Sequence, residues 1–130
     1  MNKRKFKLPE EWLKQAGYDL DTAKAMFETG RYIYTVFMCH LCIEKVLKGV
    51  YAKNFQKNPS KTHDLNYLCE EMGLVLPGKF QHFLDRLNDL SVPVRYPDEL
   101  ERLLKNYKKN KTEKVLRETE ELFTWIKKKF

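Results

Sequence analysis

At 130 residues the chain is long enough for one domain with a real hydrophobic core, so neither disulfides nor a structural metal is needed to hold it. Hydrophobic residues make up 42% and charged residues 33%, an ordinary globular balance, and no apolar run reaches membrane-spanning length. The net charge is +7, and three cysteines, an odd number, argue against a disulfide framework and for reduced thiols in a cytoplasmic protein.

Residues 1–8 read as a basic arm, MNKRKFKL, with four basic residues and no acidic one. No apolar segment follows them, so a secretory signal is not expected. Pro9 suits the first turn of a helix, and Glu10 and Glu11 suit its positive N-terminal end. Leu13, Ala16, Leu20, Ala23 and Phe27 follow at helical spacing, with Trp12 beside them. Gly30 ends this helix, and the short turn predicts an antiparallel hairpin with the next one.

That next helix, Arg31 to Lys53, is the element the rest is organised around. It is apolar nearly all round (Ile33, Val36, Leu41, Ile43, Leu47 and Val50 among others), as a helix packed on several sides must be. Thr35, Cys39, Cys42, Val46 and Gly49 fall on one line of mostly small side chains, where another helix can approach closely. His40, Glu44 and Lys48 form a polar stripe at i, i+4 and i+8, which is either a narrow solvated strip or a buried network that satisfies itself.

Past Lys53 comes a polar loop, then a short helix through Glu71, capped by Thr62 or Asp64 and stopped by Gly73. After a loop at 74–79, Phe80, Phe83, Leu84, Leu87 and Leu90 predict a third long amphipathic helix. The segment SVPVRYP, residues 91–97, breaks the pattern with two prolines. Asp98 and Glu101 have capping-box spacing, predicting a helix from near Glu99, which KNYKKNK then interrupts. Asn110 and Glu113 repeat that spacing before a last helix, whose face carries Val115, Leu116, Thr119, Leu122, Phe123, Ile126 and Phe130. No stretch alternates as a strand would. The expectation is an all-α, single-domain protein over residues 1–130, an antiparallel (up-and-down) four-helix bundle with short additional helices.

Few residues offer chemistry. Arg95 and Tyr96 sit in a proline-bounded loop leading into a helix N-terminus, where an anion can bind, unless Arg95 only ties the loop to Glu44 or Asp19. His63 is either part of such a site or a brace for the short helix. Cys39-x-x-Cys42 with His63 and Cys69 can be drawn as a zinc set, but zinc cysteines usually come from loops, so packing is the reading taken and no metal or cofactor is expected. Residues 105–117 hold six basic residues against Glu113 alone. Lys105 and Lys109 with Tyr107 for stacking can form a phosphate-binding surface, the plainer alternative being a solubilising one.

Five segments carry a family resemblance. Ala16-x-x-Asp19-Leu20-x-x-Ala23, Gly30-Arg31-Tyr32, Glu44-Lys45-x-x-Lys48, Thr62-His63-Asp64-Leu65 and Arg95-Tyr96-Pro97-Asp98 together resemble the HEPN family (higher eukaryotes and prokaryotes nucleotide-binding), in its minimal prokaryotic type associated with small nucleotidyltransferases. They come in family order from about Pro9 to Lys128. The resemblance implies a four-helix bundle that dimerises and pairs with a small nucleotidyltransferase, often as a toxin–antitoxin couple. Many members cut RNA without a metal, using an Arg followed four to six residues later by a His. Arg95 matches that arginine, but Leu100, Glu101 and Arg102 occupy the histidine positions, and all three histidines precede Arg95. Moving a 2′-hydroxyl proton needs a group of near-neutral pKa, so cleavage is not expected. The function expected is a cytoplasmic homodimer that binds nucleotide or RNA beside a nucleotidyltransferase partner. The alternatives are a metal-independent ribonuclease toxin with an altered site and a purely structural assembly bundle.

Overall fold

The structure, a computed structural model, describes residues 6–90 and 97–130. Six helices occupy them: α1 (Pro9–Glu28), α2 (Tyr32–Phe55), α3 (Leu65–Glu71), α4 (Gly78–Leu90), α5 (Pro97–Asn106) and α6 (Lys109–Lys127). No strand occurs among the described residues, and the fold is all-α as expected.

Local chemistry sets the ends of the first elements. The Leu8 N–H donates to the Glu11 carboxylate at 3.0 Å, and Pro9 opens α1 with both glutamates at its positive end. At the other end Gly30 takes φ +78°, its N–H donates to the Phe27 carbonyl, and the Arg31 N–H reaches the Met26 carbonyl at 2.8 Å. This Schellman turn satisfies carbonyls that the helix leaves open and reverses the chain straight into α2. Asp64 caps α3 by accepting from the Asn66 and Tyr67 N–H groups at 3.0 and 3.2 Å, and Gly73 closes it at φ +64°.

Three contacts give the helix directions. A Cβ on Gly49 of α2 would stand 2.8 Å from the Phe130 ring and 3.1 Å from Trp12 Cβ, so the end of the chain, the start of α1 and the far end of α2 lie together. Lys24 reaches Glu120 at 3.8 Å, so α6 runs against α1 and along α2. Phe80 packs on Trp125 at 5.9 Å while Arg86 meets Glu118 at 2.7 Å, so α4 runs against α6. Helices α1, α2, α4 and α6 therefore alternate in direction as an up-and-down bundle. Helix α2 touches all five others, and Ile43, Val46 and Leu47 are wholly buried. On its line of small residues, Gly49 is crowded by close neighbours.

Several boundaries differ from the sequence expectation, and α4 already begins at Gly78, inside the expected loop at 74–79. Helix α5 begins at Pro97, not near Glu99, because proline's fixed φ is already helical at a first position. Helix α6 begins at Lys109 with Lys108 as an N-cap that makes no side-chain bond, so the Asn110–Glu113 box does not form. Thr112 and Leu116 are buried there, and tertiary packing outweighs a local cap. Helix α2 continues to Phe55 and ends on Gln56 at φ +53°. Among the described residues, no helix is long and apolar enough to cross a membrane.

Candidate functional site

The polar stripe of α2 is a buried network. Glu44 Oε2 accepts from Lys48 Nζ at 3.1 Å, both side chains being buried, while Glu44 Oε1 lies 2.9 Å from Nδ1 of His63. His40 places its own Nδ1 3.7 Å from the same oxygen. The next residue, Lys45, points about 100° round the helix and pairs with Asp19 of α1 at 2.7 Å. A carboxylate this deep costs free energy unless it is paired on both oxygens, which explains three basic groups around one acid. Glu44 and Asp19, the carboxylates considered as structural partners for Arg95, are thus engaged by Lys48 with His63 and by Lys45.

A second feature lies between α4 and α6. Residues of both helices, with Tyr107 from the break that follows α5, line a cleft of about 380 Å³. Phe83, Leu87, Leu90 and Val115 supply apolar wall, and Arg86, Lys111 and Lys114 supply positive charge against Asp89 and Glu118. Lys111 Nζ stands 4.5 Å from the Tyr107 ring centre. Burial pushes the Tyr107 phenol above its ordinary range, against the opposite pull of Arg86 and Arg102, so at neutral pH it remains a hydroxyl donor. Arg86 is bound to Glu118, which fixes its guanidinium and uses part of its charge. The cleft can hold a planar ring against Tyr107 and a phosphate on the lysines.

The residues singled out from the sequence fall in different places. Tyr107 lines the cleft, while Lys105 and Lys109, at the end of α5 and the start of α6, are exposed and do not line it. His63 is not a cleft residue. Its loop packs on another flank of α4, where Asn88 Oδ1 takes the Leu65 N–H at 2.8 Å and Asn88 Nδ2 donates to Asp64. At helical spacing Asn88 points well away from Arg86 and Leu90. Arg95 and Tyr96 lie outside the described residues. Arg86 was not anticipated; its spacing of three from Phe83 was the available signal. Cys39, Cys42, His63 and Cys69, which could be drawn as a zinc set, are not gathered into one, since no group of three or more potential ligands occurs among the described residues. Cys39, Cys42 and Cys69 are free and buried, and burial drives Cys39 and Cys69 up to about 12 and Cys42 up as well. Thiols so protonated are poor nucleophiles and ligands.

Known proteins supply the wider context. The HEPN domain model matches residues 9–129. TT1696 from Thermus thermophilus has a similar crystal structure, with a TM-score of 0.81 at 20% identity over 94% of this chain and 98% of its own. The crystal structure of ST0689, described as an archaeal HEPN homologue, gives 0.72 at 24% identity over 94% of this chain and 97% of its own. No curated protein matches the chain. The two structures speak for the fold, and the family model, spanning nearly every residue, places the chain: it belongs to the HEPN domain family.

Proposed function

We propose that this chain is a nucleotide- or RNA-binding module that does not cleave its ligand, working as a cytoplasmic homodimer with a small nucleotidyltransferase partner. The observation that carries the binding part is the half-buried Tyr107 ring in a cleft edged by Arg86, Lys111 and Lys114. Leu90 lines the same cleft, and Arg95 and Tyr96 follow it by five and six residues in the chain. These residues, with Lys105 and Lys109, form the proposed binding surface. The dimer is supported by the N-terminal half of α2, where Tyr34 is 53% exposed and Phe37, Met38 and Leu41 are only partly buried along one side. An apolar stripe like this on the central helix of a bundle suits a second copy. The nucleotidyltransferase follows from the family resemblance alone.

Fluorescence anisotropy with a labelled single-stranded RNA tests the binding site. Replacing Lys111 and Lys114 by Glu is expected to weaken binding more than tenfold and to flatten its salt dependence. Arg95→Ala and Tyr107→Ala should each cost about tenfold, the loss of one good contact or one stacked base. The RNA should be recovered intact. Unchanged affinity in all three variants would refute the site.

A further inference from the structure

A second cavity lies at the other end of the bundle and shares no residue with the Tyr107 cleft. Glu11, Lys14, Gln15 and Tyr18 line one face of α1 at i, i+3, i+4 and i+7. Phe6 and Lys7, from the chain just before the helix, and Asn58, from the loop after α2, flank it, and together they border an open depression of about 790 Å³. The Lys7 N–H donates to Asn58 Oδ1 at 3.0 Å, so two chain segments far apart in sequence are clamped together there. The Lys7 ammonium lies 4.1 Å from the Trp12 ring centre, and Lys48 approaches the same ring at 5.7 Å.

We infer that this cavity binds a small planar anion, an aromatic ring carrying a phosphate or carboxylate. Tyr18 is 73% exposed and, with Phe6, offers a ring face to a planar group. Among the described lining residues Lys7 and Lys14 are positive and Glu11 negative, and Glu11 accepts the Leu8 N–H at 3.0 Å. Burial first and then Lys45 hold the Lys7 ammonium below the ordinary lysine range, against the opposite pull of Glu11 and Asp19, and an anion beside it would favour its charged form. Gln15 and Asn58 place amides beside the ring position, where they can meet a polar edge. Its extent is that of a small-molecule site. This inference stands apart from the reading of the Tyr107 cleft.

Two-dimensional amide NMR of the full chain, titrated separately with AMP, adenosine and inorganic phosphate, tests it. AMP is expected to shift the Lys7, Lys14, Tyr18 and Asn58 amides saturably, with adenosine and phosphate at least tenfold weaker because each lacks half the recognition. Lys14→Glu and Tyr18→Ala should each weaken AMP at this cavity about tenfold with unchanged Tm, both positions being exposed. The Lys111→Glu/Lys114→Glu pair should leave these shifts as they are. Phosphate binding as tightly as AMP would mean an adventitious ion only and overturn the inference. So would AMP shifts that survive both variants, or shifts confined to the Tyr107 cleft, which would leave the proposed function standing.

Discussion

His63 and Glu44 meet at 2.9 Å across a steep gradient of solvent, the imidazole side chain 52% exposed and the carboxylate 5%. Glu44 therefore anchors a surface loop to the central helix while neutralising Lys48 from inside. The two partners should matter unequally. Glu44→Ala leaves Lys48 buried without its acid and is expected to cost about 3 kcal/mol. His63→Ala removes a half-exposed partner and should cost about 1 kcal/mol or less. Urea unfolding at neutral pH measures both, and equal losses would mean that the loop contact, not the lysine, dominates.

The cysteines give a prediction in pH. An unfolded chain releases thiol protons near 9, whereas the folded chain holds Cys39 and Cys69 to about 12. Between those values the unfolded state binds fewer protons, so stability falls as pH rises. The folded protein should also resist a thiol reagent at pH 8, with three groups reacting once urea is added. Fast labelling without denaturant would contradict the burial.

Asp64 ties α3 to α4 as well as capping α3, through two backbone N–H groups and the Asn88 amide. Asp64→Ala is expected to lower the unfolding free energy by about 1–2 kcal/mol, and Asp64→Asn by clearly less, since asparagine also caps. Denaturant midpoints compare the two.

Gln56 closes α2 in the left-handed region at φ +53°, where a side chain is strained. Gln56→Gly should stabilise the protein by roughly 0.5–1 kcal/mol, read as a Tm a few degrees higher. A fall in Tm would mean that Gln56 contributes packing that outweighs its strain.

If the Tyr34–Leu41 stripe is the homodimer interface, a charge placed in it must be desolvated twice by symmetry. Met38→Glu is expected to give a monomer by light scattering at micromolar concentration, with its helical signal retained. A dimer that survives the substitution moves the interface elsewhere.

Much of the bundle was legible from the chain because its signals are local. Glycines 30 and 73 mark turns that only a positive φ can make, Pro9 opens a helix, and the all-round apolarity of α2 demands neighbours on several sides. A side chain's spacing along one helix can be counted, so the small-residue line through Gly49 was visible before its neighbours were known. Which groups meet across helices could not be counted. Glu44 had Arg95, His40 and Lys48 as conceivable partners, and its contact with His63 depended on where the loop at 56–64 returns, a matter of packing over the whole bundle. Arg86 gained meaning only when α6 brought Lys111 and Glu118 against α4. The start of α6 shows the same limit: capping is worth about 1 kcal/mol, less than the burial of Leu116, so the local signal lost. Short-range chemistry wrote the elements into the sequence, and long-range contacts decided which side chains share a site.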